Sequence, residues 1–279
     1  IDEVSMVRAD LMDGIDHALR INRGRMDVPF GGAQMIFFGD LFQLAPIVGR
    51  EEAAVYAEHY PTPYFFSANV FKEVMPSRIE LTRIFRQADG RFIGLLNNIR
   101  NNEYDERDFA LLNSRVDRNT GDRFDQCVTL TATNRDAGAI NQRRLARLPG
   151  RHFEYTADVR DDFDESLYPT DPVLKLKVGA QVMMLKNDQQ KRWVNGSIGV
   201  IKALIGSTVC VEIDGKVHET GPAEWQKIVY EYNKAEDRID EKIVGTFTQY
   251  PLRLAWAITI HKSQGQTFDN VVIDLGAGA

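Results

Sequence analysis

A short, continuously apolar run at residues 35–38, Met-Ile-Phe-Phe, is closed by Gly39-Asp40 and constrains the fold more than any other feature of the chain. Such a run is typical of a parallel strand that is buried on both faces. In open α/β sheets, ligands bind outside the carboxyl ends of the strands. We therefore expect an α/β fold in which residues 40–43 and the acidic pair Asp2-Glu3 face one crevice.

The Asp2-Glu3 pair has the side chains that a nucleotide-hydrolysing site needs. One carboxylate can hold a Mg²⁺ ion that bridges nucleotide phosphates, and the other can accept a proton from the attacking water. Gln43 can orient that water or sense the γ-phosphate. An acidic pair alone is usually a solvated loop charge, so the interpretation depends on the Gly-Asp-x-x-Gln-Leu sequence that follows one βαβ unit later.

Three stretches resemble the Pif1 group of superfamily 1B DNA helicases: residues 2–6, Pro-Phe-Gly-Gly at 29–32, and residues 39–47. They are similar to motif II, the group's signature and motif III. The resemblance implies ATP and Mg²⁺ as cofactors, Asp2 as metal ligand, Glu3 as base and Gln43 as sensor. The family usually has Pro-Pro where this chain has Ala45-Pro46, and Pro46 is a candidate DNA contact.

Residues 81–87 resemble motif IV of the same group. The resemblance implies that Arg86 is an arginine finger, which would reach the γ-phosphate from a second domain and stabilise charge in phosphoryl transfer. An arginine can equally form a surface salt bridge. The Phe-Arg-Gln context of Arg86 favours the finger.

Residues 252–267 resemble helicase motif V. In this stretch Thr259, His261 and Lys262 offer hydroxyl, imidazole and ammonium groups to DNA phosphates, and Gln264 and Gly265 let the backbone approach the nucleotide. This polar cluster lies between an apolar run and a glycine, where packing gives no reason for it. We therefore predict a functional role for all five residues.

Asn134 follows a strand-like run that begins at Cys127. It is suited to cap a helix expected at residues 135–148. The Thr-Asn turn also resembles a helicase motif that touches the DNA backbone. Both roles are open for Asn134.

The resemblance implies two RecA-like domains of the P-loop NTPase helicase type, each with a parallel sheet. We expect the end of the first domain at residues 1–76, the second domain at 77–175 and 247–279, and an SH3-like β-barrel inserted at 176–246. Short β-like runs and the turn signal Asp214-Gly215 favour the barrel. An amphipathic helix near the start is predicted from the spacing of Val7, Leu11, Ile15 and Leu19, with Arg8, Asp16 and Arg20 turned outward.

The net charge of −6 and the pI near 5.5 argue against nonspecific coating of duplex DNA by a basic surface. A local groove that holds a single strand remains compatible with this charge.

Cys127 and Cys210 lie in apolar runs and are expected to be buried and reduced. No apolar run approaches the roughly 20 residues that span a bilayer, so we expect no membrane partner.

The resemblance implies binding to single-stranded DNA and to single-strand/duplex junctions, with G-quadruplexes as a further substrate, and movement in the 5′-to-3′ direction. It also implies roles in DNA repair, recombination and telomere maintenance. We expect a monomer in the bacterial cytoplasm, or in the nucleus or mitochondrion of a eukaryote. A RecD-like or relaxase-linked helicase and a noncatalytic single-strand-binding or scaffold protein are the alternatives.

The 279 residues contain no Gly-x-x-x-x-Gly-Lys-[Ser/Thr] phosphate loop and no motif VI. We expect these two segments elsewhere in the same protein. Residues 1–279 should then have negligible ATPase activity by themselves.

Overall fold

The computed structural model describes residues 1–85, 89–116, 127–233, 238–268 and 270–276. The chain forms two compact units, Ile1–Val116 and Asp117–Ala279. Each unit has a hydrophobic core of its own.

The described part of the first unit contains the helices α1 (Ala9–Asn22), α2 (Ala53–His59), α3 (Gly90–Asn101) and α4 (Glu106–Asn113). Short 3-10 turns lie at Val4–Met6, Pro29–Gly32, Phe65–Ser67 and Asn69–Lys72. Two of the helices begin at capping aspartates. Asp89 accepts backbone N–H groups at the start of α3, and Asp105 forms a capping box with Asp108 at the start of α4.

The core of the first unit lies between α1 and the segments that precede and follow it in the sequence. Its buried side chains are Val4, Ala9, Met12, Phe30, Tyr56, Ala68 and Val70. The predicted helix is present, but the orientation predicted for three of its residues is wrong. Leu11 is 56% exposed, whereas Asp16 is 8% exposed and the Arg20 side chain is 12% exposed. Asp16 faces inward because it accepts hydrogen bonds from the backbone of Phe30 and from Arg20.

The run at residues 35–38 differs from its prediction. Ile36 and Phe38 are each 56% exposed, while Met35 and Phe37 pack against the core. Backbone hydrogen bonds pair the segment with residues 1–4, but it lies outside the described strands and packs by one face, so the prediction of a strand buried on both faces is wrong. A continuous apolar run gives no alternation from which a one-sided strand could be recognised.

The second unit contains two helices in its described part, α5 (Asn134–Arg147) and α6 (Ile260–Ser263). Its described strands are β1 (Val128–Thr131), β2 (Phe153–Thr156), β3 (Asp158–Asp161), β4 (Val173–Leu176), β5 (Gln181–Met184), β6 (Ile198–Ile205), β7 (Thr208–Ile213), β8 (Lys216–Thr220), β9 (Ala223–Asn233), β10 (Arg238–Gln249), β11 (Leu252–Leu254), β12 (Ala257–Thr259) and β13 (Val271–Asp274). A short 3-10 turn lies at Glu165–Leu167.

A parallel sheet in the order β12-β1-β13 joins segments that are far apart in the sequence. In its register, Thr131 lies opposite Thr259 on one side and Asp274 on the other. α5 follows β1 directly, which places the start of the helix at the carboxyl edge of this sheet. This is the mixed α/β fold that the sequence predicts.

The remaining strands are antiparallel and form sheets in the orders β11-β5-β6-β7-β8, β3-β10-β9 and β2-β4. The Asp214-Gly215 turn joins β7 to β8, with φ of 51° and 74° at its two residues. Both values are positive, as a type I′ hairpin turn requires. The predicted turn is therefore present at these residues.

Both cysteines are buried as free thiols, and burial raises the pKa of Cys127. Cys127 leads into β1, and its carbonyl oxygen accepts a hydrogen bond from the Gln181 side chain. Within the described ranges, no helix is long and apolar enough to cross a membrane.

Candidate nucleotide and nucleic-acid sites

The acidic pair and the apolar run lie side by side in the first unit. Phe38 N–H donates to the Ile1 carbonyl at 2.9 Å, and Val4 N–H donates to the Phe38 carbonyl at 2.8 Å. The two segments therefore run in the same direction, and Asp2-Glu3 lies beside the end of the run. This juxtaposition is the one that the sequence predicts.

Gly39 is in close contact with the segment that follows the acidic pair. A Cβ atom at this position would meet Val4 Cγ1 at 2.8 Å and the Ser5 backbone nitrogen at 3.0 Å. Only glycine permits such an approach without displacement of the neighbours. Glu3 has a φ of 49°, which is rare for a residue with a side chain. The local backbone is thus held in an unusual conformation at the predicted base, as at many functional sites.

Asp2 and Glu3 present carboxylates with different surroundings. Asp2 is exposed, and its Oδ1 accepts the Glu3 backbone N–H at 2.9 Å, while Glu3 is half-buried.

The described residues contain no cluster of three or more potential metal ligands. Mg²⁺ in nucleotide sites commonly uses one or two carboxylates together with substrate phosphates. The oxygen donors at Asp2 and Glu3 therefore fit this ion.

Residues 40–43, which we call the motif III turn, are organised by one side chain. The Asp40 carboxylate accepts the Phe42 N–H at 3.1 Å and the Gln43 side-chain amide at 3.3 Å. The Asp40 carbonyl accepts the Gln43 N–H at 3.0 Å. Arg100 on α3 also donates to Asp40, at 3.0 Å. Sequence reasoning missed Arg100, because an arginine in a helical pattern carries no signal of its tertiary partner.

Pro29–Gly32, the signature segment, forms a tight turn against α1. Phe30, Gly31 and Gly32 all have positive φ. A Cβ on Gly31 would lie 2.5 Å from the Leu19 carbonyl oxygen, so this position also needs glycine. Asp16 accepts the Phe30 N–H and bonds Arg20 Nε at 2.8 Å. The signature is thus anchored by a carboxylate that lies on the facing helix.

The motif V segment meets the start of α5 in the second unit. Lys262 Nζ donates to Asn134 Oδ1 at 3.1 Å, so two predicted DNA-binding residues lie together. Asn134 is the first residue of α5 and does not cap it. The N-cap is Thr133, whose hydroxyl accepts the Asp136 N–H at 3.1 Å. The capping role that the sequence left open for Asn134 is therefore wrong.

Burial lowers the pKa of Lys262, and the positive charge of Arg253 lowers it further, against an opposing effect of Asp171. Arg253, which sequence reasoning did not select, donates to the Pro169 carbonyl.

Asn141 fixes the position of motif V from within α5. Its side-chain amide donates to the Ala257 carbonyl at 2.8 Å, and its oxygen accepts the Ala257 N–H at 2.9 Å. This reciprocal pair ties α5 to the strand that leads into motif V. Sequence reasoning missed Asn141 because the partner lies 116 residues away.

The other predicted site residues are placed as follows. Thr259 and Pro46 are buried, His261 and Gly265 are exposed, and Gln264 is half-buried. Gly265 has a φ of 75° and turns the chain after α6. Arg86 lies outside the described residues, so the predicted finger remains a prediction.

Comparison with known proteins gives a consistent result. Residues 1–108 match the family described as PIF1-like helicase, and residues 165–204 match the 2B domain of the DNA helicase Pif1. The human ATP-dependent DNA helicase PIF1 is 35% identical over 99% of this chain and 42% of its own length. The Pif1 helicase of Bdellovibrio bacteriovorus is 29% identical over 99% of this chain and 59% of its own length.

Solved structures agree with the sequence comparison. Bacteroides Pif1 bound to single-stranded DNA is 40% identical, with a TM-score of 0.77 over 98% of this chain and 63% of that protein. The complex of Bacteroides Pif1 with ADP-AlF3 and single-stranded DNA has a TM-score of 0.78 over 99% of this chain and 64% of that protein. This chain thus spans less than two thirds of each of these relatives.

The fold, with its parallel β12-β1-β13 sheet, and the solved structures that it resembles define a RecA-like α/β protein of the helicase class. The chain belongs to the Pif1 family of superfamily 1B helicases.

Proposed function

We propose that the intact protein is an ATP-dependent DNA helicase that moves 5′-to-3′ on single-stranded DNA. The observation that best supports this proposal is the placement of Asp2-Glu3 beside Gly39 and the motif III turn. The relatives compared above are ATP-dependent DNA helicases, and Bacteroides Pif1 binds single-stranded DNA and ADP-AlF3. Polarity, the use of Mg²⁺ and the monomeric state belong to the proposal.

The chemistry that we propose is in-line hydrolysis of the γ-phosphate. Asp2 would hold Mg²⁺, which supplies charge neutralisation at the phosphates when it is bound. Glu3 would accept the proton of the attacking water, and Gln43 would orient that water or sense the γ-phosphate. Arg86 would contribute positive charge from the second RecA-like domain.

The DNA contacts that we propose centre on motif V. Lys262 and Asn134 form a hydrogen-bonded pair, and His261 is exposed beside them. These groups suit the phosphate backbone of a single strand, which gives affinity without sequence preference. Thr259 and Pro46 are buried and would act mainly through the backbone around them. Single-strand/duplex junctions and G-quadruplexes are the proposed structured substrates.

The domain arrangement that we propose follows the sequence prediction. Residues 1–76 would end the first RecA-like domain, and 77–175 with 247–279 would belong to the second. Residues 176–246 would form the SH3-like insertion, supported by the match of the family's 2B domain to residues 165–204. Nucleotide binding would close the two RecA-like domains, and product release would open them. We propose that the protein acts on DNA in the bacterial cytoplasm, or in the nucleus or mitochondrion if its source is a eukaryote.

The test is ATP turnover by the intact protein, with and without single-stranded DNA, beside its Glu3→Gln variant. Removal of the base should lower the DNA-stimulated kcat by about 10²- to 10⁴-fold while ATP and DNA binding persist. Glu51→Gln, at an exposed carboxylate, is the matched control and should retain turnover. DNA binding without turnover by the unmodified protein would support the noncatalytic alternative instead.

A further inference from the structure

Arg100, near the C-terminal end of α3, contacts the motif III turn at two points. Its Nη2 donates to Asp40 Oδ1 at 3.0 Å. Its guanidinium carbon also lies 4.7 Å from the centroid of the Phe42 ring, within the range of a cation–π contact. A salt bridge and a ring contact from one side chain restrict both the position and the rotation of this turn.

Asp40 connects Arg100 to Gln43. One carboxylate oxygen accepts from Arg100 and from the Phe42 backbone, and the other accepts from the Gln43 amide at 3.3 Å. The Gln43 N–H bonds the Asp40 carbonyl at 3.0 Å, which closes the turn. A chain of hydrogen bonds thus runs from α3 to the predicted sensor of the γ-phosphate.

We propose that Arg100 is a positioning residue that sets the orientation of Gln43 through Asp40. This inference rests on the proposed function and adds a residue to it. α3 follows residues 81–87, the segment that resembles motif IV. Arg100 and Asp40 lie in the same compact unit, Ile1–Val116. Arg100 would therefore hold, from within this unit, the turn that senses the nucleotide.

The role concerns geometry and not stability. The side chains of Arg100 and Asp40 are 43% and 24% exposed. Ion pairs with this exposure contribute little to folding. A small displacement of a group that orients the attacking water can nevertheless change turnover strongly. The effect of losing Arg100 should therefore be seen in kcat and not in the melting temperature.

The experiment is a double-mutant cycle in the intact protein, with DNA-stimulated ATP turnover as the readout. Arg100→Ala should lower kcat about tenfold, a size typical of coupled neighbours, with little change in the KM for ATP. In the double variant with Gln43→Ala, loss of Arg100 should have almost no further effect, because its action passes through Gln43. Arg100→Lys keeps the charge but not the planar guanidinium, and should give an intermediate kcat.

Arg107→Ala is the matched control, since Arg107 is an exposed arginine on the neighbouring helix α4. It should leave kcat, KM and melting temperature unchanged. If the losses of kcat caused by Arg100→Ala and Gln43→Ala multiply in the double variant, Arg100 does not act through Gln43. A loss of turnover that follows a fall in melting temperature would also overturn the role of Arg100. Neither result would overturn the proposed function. Absence of DNA-stimulated turnover in the unmodified protein would overturn the proposed function, and this role with it.

Discussion

The ammonium group of Lys262 lies 3.1 Å from the side-chain oxygen of Asn134, and so joins residues that are 128 positions apart. The parallel sheet makes this contact possible, because β1 and β12 end at the same edge and α5 and α6 begin there. Burial lowers the pKa of Lys262, and the charge of Arg253 lowers it further against an opposing effect of Asp171. The contact that we propose between this pair and a DNA phosphate can be tested at Lys262.

Lys262→Ala should weaken binding of single-stranded DNA about three- to tenfold and reduce the slope of log affinity against log salt by about 0.7, the value for one phosphate contact on a single strand. Fluorescence anisotropy over a salt series measures both quantities. Lys216→Ala, at an exposed position next to the hairpin turn, is the control. A lower affinity with an unchanged salt slope would show that Lys262 acts without a phosphate contact.

Asp16→Ala should destabilise the first unit by roughly 2–4 kcal/mol, because it leaves the buried Phe30 N–H without its acceptor and removes one of the two carboxylates that bind Arg20, the other being Glu73. The midpoint of urea unfolding, followed by circular dichroism, gives this free energy. Glu58→Ala, at an exposed position of α2, should change it by less than about 0.5 kcal/mol. Equal effects of the two substitutions would refute the anchoring role of Asp16.

Asp13 should make the first unit sensitive to acid. Burial by itself would raise the pKa of Asp13, but hydrogen bonds from Asn69, Val70 and Tyr60 outweigh it and hold this pKa below its ordinary value. A depressed pKa contributes stability above the unfolded-state pKa of about 3.9, and that contribution is lost as the pH falls through the folded-state value. The free-energy difference between the unmodified protein and Asp13→Asn should therefore be largest near pH 7 and shrink below about pH 4.

Urea unfolding at a series of pH values from about 2 to about 7 checks this expectation. Asp27→Asn, at an exposed carboxylate, is the control and should show a small difference at every pH. A difference for Asp13→Asn that stays constant across the series would mean that the carboxylate charge does not matter. The hydrogen bonds at this position would then stabilise the protein equally well with an uncharged acceptor.

Local signals predicted much of this structure. The Asp214-Gly215 pair favours positive φ and so predicted the hairpin turn. The apolar run that begins at Cys127 predicted β1, and the helix start near Asn134 predicted α5. The error at Asn134 is also local, because the hydroxyl of Thr133, one residue earlier, caps the helix instead. The placement of Asp2-Glu3 beside the apolar run followed from the rule for strand ends.

The remaining features depend on partners that are distant in the sequence. Asp16 has a helical position that periodicity assigns to solvent. Its burial is favourable because it binds Arg20 and also the backbone of Phe30, which lies 14 residues later in the sequence. Arg100 meets Asp40 across 60 residues. No spacing rule predicts such contacts, because each depends on how separate elements pack.

Gly39→Ala gives the most direct test of the geometry around the acidic pair. The added Cβ would lie 2.8 Å from Val4 Cγ1 and 3.0 Å from the Ser5 nitrogen, so the segment that carries Asp2-Glu3 must shift. A displacement of about 1 Å at a catalytic group can cost about 10²-fold in rate, and we expect a roughly 10- to 100-fold loss of kcat in the intact protein. Gly49→Ala is the matched control, since its added Cβ would meet nothing closer than Glu52 Cδ at 3.9 Å. Similar kcat values for the two variants, with both folded by circular dichroism, would mean that turnover does not depend on the close approach of Gly39 to the acidic segment.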